Sequence, residues 1–150
     1  MRKEGKSMPI KQISVFLENK CGRLADVTGA ISANGIDIRA FSIADTTDFG
    51  ILRLIVNRPD DAFKVLREGG FTVSMTEVIA VRIPDRPGGL AGVLELMQEA
   101  GVNIEYMYAF SAKISKDALA VFRVENSEVA ERLIAEKGIR VLSGEEVYSL

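Results

Sequence analysis

Ile13, Val15 and Leu17 alternate with Ser14, Phe16 and Glu18, a period of two that predicts a strand. Leu24, Val27, Thr28 and Ile31 then recur at helical spacing, and Gly35 offers the left-handed stop, so a helix is expected from about Leu24 to Asn34. Two apolar, β-branched runs, Ile36 to Ala44 and Ile51 to Val56, flank Asp45-Thr46-Thr47-Asp48-Phe49-Gly50 and predict a hairpin with a polar turn. Pro59-Asp60-Asp61 is a capping signal for a short helix through Ala62, Val65 and Leu66, and a last strand follows Gly70.

The same order then returns. Val81 and Ile83 predict a strand; Leu90, Val93, Leu94 and Met97 form a full i, i+3, i+4, i+7 stripe closed by Gly101; Val102 to Phe110 and Leu119 to Val124 are paired strands. Asn126-Ser127-Glu128 precedes a helix through Ala130, Leu133 and Ile134, and a strand follows Gly138. Gly22 recurs as Gly88 and Gly35 as Gly101, each 66 positions on, whereas Gly70 recurs as Gly138, 68 positions on. The second copy therefore carries two extra residues, expected between its second and third strands.

Strand, helix, strand, strand, helix, strand is the ferredoxin-like order, an α+β fold with an antiparallel sheet and both helices on one face. The expected organisation is an N-terminal extension over 1–9, one unit over 10–75 and a second over 76–150. Only Ser74-Met75-Thr76-Glu77 separates the last strand of one copy from the first of the next, too little for a flexible linker.

Composition narrows the chemistry. Nineteen basic and 21 acidic residues leave a net charge of −2, without the basic footprint that nucleic acid or an anionic membrane would select. No apolar segment is long enough to span a bilayer, residues 1–12 do not resemble a signal peptide, and a cytoplasmic protein is expected. One cysteine excludes an internal disulfide. The absence of histidine removes Ser-His and Cys-His dyads and histidine-ligated metals, so neither an enzyme nor a cofactor is expected.

The loop Asp85-Arg86-Pro87-Gly88-Gly89-Leu90 followed by Gly101-Val102-Asn103-Ile104 resembles the ACT domain, and the resemblance extends over Ile10 to Leu150 as two copies. The first copy departs from the pattern with Cys21 where proline is common and Asp37 where asparagine is common. The resemblance implies binding of a free amino acid or similar metabolite and regulation of an enzyme or transcription factor in trans.

The residues support an anion site on their own terms. Gly22 and Gly88 open a helix after a strand, where free N–H groups and the positive end of the dipole suit a carboxylate. Asp37 can accept from an ammonium group, and Asn103 can accept and donate. The candidate ligand residues are Asn19, Lys20, Cys21, Gly22, Arg23, Leu24 and Asp37, with Asp85, Arg86, Pro87, Gly88, Gly89, Leu90 and Asn103. A helix from Leu24 to Asn34 is ~16 Å long, so one amino acid cannot touch both ends. Each site is therefore expected to join the loop of one repeat, Asn19 to Leu24 or Asp85 to Leu90, with Asn103 or Asp37 of the other, within a chain or across a homodimer.

Plainer roles compete. The glycines also suit a strand-to-helix turn, Asp37 and Asn103 could satisfy nearby backbone groups, and Asp60-Asp61 and Glu145-Glu146 read as solvated carboxylates. Tyr106, Tyr108 and Phe110 share a sheet face on the alternating pattern, suited to packing or a subunit contact; the acidic balance argues against the RNA-binding use of such aromatics. The rival function is an interaction subunit of an amino-acid-metabolism enzyme or an acyl-CoA ligase, with no ligand of its own.

Overall fold

The computed structural model describes residues 9–18, 20–45, 48–114 and 116–150, and the expected extension lies almost entirely outside them. Two compact units divide the chain: Lys11–Thr76 is one, and Glu77–Leu150 together with Pro9 and Ile10 is the other. The first contains β1 (Ile10–Glu18) apart from its first residue, α1 (Arg23–Ala33), β2 (Ile38–Asp45), β3 (Phe49–Val56) and α2 (Pro59–Glu68). The strand β4 (Thr72–Pro84) ends the first unit and begins the second, so Ser74 to Glu77 are strand rather than linker. After it come α3 (Gly89–Glu99), β5 (Ile104–Ile114), β6 (Asp117–Val124), α4 (Ser127–Glu136), β7 (Val141–Leu142) and α5 (Gly144–Tyr148). Each unit thus has the ferredoxin-like βαββαβ order.

In the first unit β3 lies between β1 and β2, antiparallel to both, with Val15 opposite Leu52 and Ile43 opposite the same residue. Ile13, Val15 and Leu17 point to the same core as Leu52, Leu54 and Val56, and Val27, Ile31, Ala62 and Leu66 from the helices close it. In the second unit the order is β5-β6-β4-β7, antiparallel throughout. Ile79, Val81, Ala120, Phe122 and Val124 meet Val93, Met97, Ala130 and Ile134 in its core. The alternation of strand residues and the helical stripe converge because both periods put apolar atoms on one side, where burial stabilises by roughly 25 cal/mol per Å².

The structure corrects several local expectations. Leu24 and Thr28 belong to the α1 stripe by spacing but are exposed, and only Val27 and Ile31 of that set are buried. The N-cap of α2 is Arg58, without a capping side chain, and Pro59 takes the first helical position, where its missing N–H is harmless. Asn126 is the N-cap of α4 as expected, its side chain accepting from the Val129 N–H. Of the hairpin turn between β2 and β3, Thr46 and Thr47 lie outside the described residues, while Phe49 and Gly50 already belong to β3. The two extra residues of the second copy do not lengthen its turn. They form a bulge within β5, because Ala109 faces Ala120 and Lys113 faces Ala118, which leaves three residues, Phe110 to Ala112, against one, Leu119. Tyr106 and Tyr108 stack with ring centroids 6.5 Å apart.

The last strand of the second copy is only two residues long, and the chain turns into α5, a helix the periodicity missed. Ser143 and Glu146 close a capping box, a signature legible in Ser143-Gly144-Glu145-Glu146. Glu146 is therefore not simply solvated: the Ser143 N–H it accepts, aided by Arg140 at 2.8 Å, holds its carboxyl below the usual range.

Glu131 on α4 goes the other way. Burial, and then the charges of Glu77 and Glu128, raise its carboxyl above the ordinary value of 4.5. The folded protein therefore binds this proton more tightly than the unfolded chain, and stability falls as pH rises from about 4.5 through the folded value. Glu131→Gln is expected to raise the urea midpoint at pH 7, with the gain vanishing below pH ~4.5. An equal gain at both pH values would show that the ionised carboxylate is not the cause.

Candidate functional site

Both strand-to-helix loops are built by one turn. In the second unit the Arg86 N–H donates to the Pro84 carbonyl and the Gly89 N–H to that of Arg86, each at 2.9 Å; in the first, Lys20 donates to Glu18 at 2.8 Å and Arg23 to Lys20 at 3.4 Å. The chain then enters the helix through a left-handed glycine, Gly22 at φ 89° and Gly88 at φ 84°. A side chain at either would meet open space, so it is the backbone angle that calls for glycine there. Gly89 is different: a Cβ on it would lie 1.9 Å from the Pro84 carbonyl oxygen.

Neither helix has a side-chain cap. Among the described residues the N–H groups of Gly88, Leu90 and Ala91 reach no protein acceptor, nor do those of Cys21, Gly22, Leu24 and Ala25. Unsatisfied donors at a helix start carry the positive end of its dipole and together form an anion cradle. Beside each cradle stands an exposed leucine, Leu24 at 43% and Leu90 at 42%. A carboxylate with a short apolar group fits that pairing.

The two cradles are not equivalent. The first turn of α1 carries Asp26, which opposes an anion, whereas the first turn of α3 carries no acid. Arg23 offsets Asp26 in part, with Nη1 3.5 Å from its carboxylate, but its guanidinium lies over the Phe71 ring at 5.1 Å and its Nε is buried without a hydrogen bond. Arg23 is thus engaged with its own unit. In the second loop Asp85 is ion-paired to Lys113 on β5, and Arg86 and Pro87 are exposed. Lys20 pairs with Glu18 at 3.4 Å, Cys21 is an exposed free thiol, and Asn19 lies outside the described residues.

Asp37 and Asn103 stand beyond the far ends of α1 and α3, the helices that begin at the glycine loops. The Asp37 carboxylate is held by Arg39 at 2.6 Å, and its backbone N–H donates to the Asn57 side chain at 2.9 Å. The Asp37 side chain therefore does not satisfy backbone groups; Asn57 performs that task. Asn103 is exposed on the rim of a hollow of about 140 Å³ that reaches the start of α4. Among the described residues no cluster of three or more His, Cys, Asp or Glu side chains could hold a metal, and no helix is long and apolar enough to cross a membrane.

Comparison with known proteins gives a consistent result. A protein from Bacteroides thetaiotaomicron, BT0572, is 41% identical in its crystal structure, with a TM-score of 0.89 over 96% of this chain and 99% of that one. The regulatory subunit of aspartate kinase from Thermus thermophilus, in its ligand-free form, is 17% identical with a TM-score of 0.61, over 87% of this chain and 93% of that one. Its counterpart from Thermus flavus is also 17% identical, with a TM-score of 0.59 over 87% and 94%. No curated protein sequence matches. The family profile of an ACT domain pair matches residues 8–150, and with the paired βαββαβ units and their glycine loops this chain belongs to the ACT domain family.

Proposed function

We propose that the chain is a regulatory protein that binds a free amino acid or a closely related small metabolite and transmits its occupancy to a partner enzyme or regulator. The observation that carries this reading is the loop Asp85–Leu90, where three unpartnered N–H groups, a left-handed Gly88, an acid-free first helical turn and exposed Leu90 form a cradle for a carboxylate. Membership of a family of regulatory, ligand-binding domains supports it. The loop Lys20–Leu24 is a second, weaker cradle because Asp26 adds negative charge to it.

With 11 residues, α3 is ~16 Å long and holds Asn103 away from Gly88. The ammonium group of a ligand at Gly88 is therefore met by another copy of the repeat, for which Asp37 is the candidate, and a homodimer is one means of supplying it. Regulation follows only if the ligand prefers one of two states of the protein, since equal affinity shifts nothing.

A thermal-shift screen of amino acids and their keto-acid analogues tests this directly. A binder at ~100 times its dissociation constant stabilises by about 2.7 kcal/mol. Gly88→Asp is expected to weaken that binder by at least about tenfold, since a carboxylate would face a carboxylate at close range. Gly88→Asn has a similar backbone cost without the charge and should bind more tightly than the aspartate variant. Equal affinities in the two variants would remove the ligand from this loop, and a screen without any binder would favour the ligand-independent interaction subunit.

A further inference from the structure

One place in the repeat is filled by the chain's own side chain in the first copy and left open in the second. Arg58, at the start of α2, turns its guanidinium onto the end of α1: Nη2 donates to the Asn34 carbonyl at 2.8 Å, and Nη1 lies 3.3 Å from an Asp61 carboxylate oxygen. A Cβ added to Gly35 would lie 3.6 Å from Nη2, so the guanidinium closes over the helix stop. The last carbonyls of a helix lack intrahelical donors and carry the negative end of its dipole, which makes a cation a natural cap.

The second copy repeats the backbone. Gly101 at φ 76° matches Gly35 at φ 68°, and the Val102 N–H donates to Met97 as that of Ile36 does to Ile31. The Ala130 N–H donates to the Asn126 carbonyl as that of Ala62 does to Arg58. Asn126 thus occupies the place of Arg58, but its side chain is spent on capping α4, accepting from the Val129 N–H at 3.2 Å. The Ala100 carbonyl, the counterpart of that of Asn34, accepts no hydrogen bond among the described residues. What remains is the hollow of about 140 Å³, with Val102, Val124 and Leu133 among its apolar lining and Glu125 on its rim.

We propose that this hollow binds a guanidinium group brought by a ligand, in the place that Arg58 fills in the first repeat. The inference goes beyond the carboxylate cradle at Gly88 and does not depend on it. A guanidinium suits the lining because its flat, weakly hydrated faces rest on apolar atoms while its edge donates in several directions. Glu125 and Asn103 of the lining carry acceptor oxygens for that edge, and the unpartnered Ala100 carbonyl is joined by its peptide bond to Gly101 of the same lining. Such a group comes either from a free arginine-like metabolite or from an arginine side chain of a partner protein.

The test is NMR titration of the full chain with methylguanidinium, which has no carboxylate for the glycine loop, alongside N-acetylarginine amide, L-arginine and the neutral isostere L-citrulline. Methylguanidinium is expected to give saturable shifts in the amides of Val102, Glu125 and Val129. Stronger binding by N-acetylarginine amide than by free L-arginine points to a protein arginine, and the reverse points to a metabolite. Asn126→Arg should supply the guanidinium from within, as Arg58 does, and weaken methylguanidinium by at least about tenfold, the effect of displacing one charge-assisted hydrogen bond. Glu125→Gln, which leaves the Asn126 cap in place, should also weaken it. Absence of saturable shifts, equal shifts with L-citrulline, or unaltered binding in folded Asn126→Arg and in Glu125→Gln would each overturn the proposal. The Gly88→Asp variant should keep these shifts, so failure at the glycine loop and failure here are told apart.

Discussion

Phe122→Ala is expected to destabilise the second unit by about 3–5 kcal/mol, the range for truncating a fully buried phenylalanine. Phe122 is wholly buried on β6, with Ile79 of β4 opposite it on one side and Met107 of β5 on the other. It belongs to the core that Val93, Met97 and Ile134 close from the helices. Truncation removes an aromatic ring from a core bounded by backbone on one face and helices on the other, so little can move in to fill the cavity. All three tyrosines, Tyr106, Tyr108 and Tyr148, lie in the second unit and the chain has no tryptophan, so tyrosine fluorescence reports this unit. The midpoint of its thermal transition should fall by more than about 10 °C. A fall of only one or two degrees would mean that the core refills the space or that Phe122 is not central to it.

Gly89→Ala should destabilise the same unit by about 3 kcal/mol although the change adds a single methyl group. Its φ is not left-handed, so the penalty does not arise from backbone preference. It arises because the new Cβ would sit 1.9 Å from the Pro84 carbonyl oxygen and 3.0 Å from its carbon, both backbone atoms. The turn that holds Pro84 there is closed by the Arg86 and Gly89 N–H groups, and it must open to admit the methyl. Opening it also misplaces the N–H groups of Gly88 and Leu90, so any carboxylate ligand should be lost with the stability. Gly92→Ala is the matching control: it lies within α3 with nothing inside 4 Å of an added Cβ, and alanine should stabilise by about 0.5–1 kcal/mol. Destabilisation by both changes would point to general crowding of α3, and by neither would show that the Pro84 turn yields freely.

The same position explains why the repeats look alike in sequence yet differ in detail. Arg23 stands where Gly89 does, and the first loop accommodates it with a looser closing bond of 3.4 Å against 2.9 Å. Glycine there is a requirement of close approach, and at Gly88 one position earlier it is a requirement of backbone angle. The string Gly88-Gly89 does not distinguish the two reasons. Leu24 and Leu90 show a similar ambiguity: helical spacing places them with the core, but they stand in the first turns of α1 and α3 and remain exposed. A periodic pattern states which residues share a face, whereas burial depends on how far the neighbouring layer extends.

Arg58 and Asn126 mark the limit of local reading. Both precede a helix, and Asn126 is a cap by its own chemistry, legible from residue type. Arg58 is not, and its role becomes visible only when Asn34, distant in sequence, is brought beneath it. Likewise the offset between copies required two extra residues somewhere in the second hairpin, and only strand pairing placed them in a bulge of β5 rather than in the turn.

By itself the sequence determined the duplication, the βαββαβ order, the core faces of most strands and the glycines that end helices, because each of these is set by periodicity or by the allowed angles of one residue. The tertiary structure alone decided which loop donors stay unpartnered, why Gly89 admits no side chain, that Asp37 is paired with Arg39, and that one helix end is capped by Arg58 while its counterpart lies open. Those outcomes depend on hydrogen-bond partners and close contacts between atoms in three dimensions, and the angles and periods of the chain do not encode them.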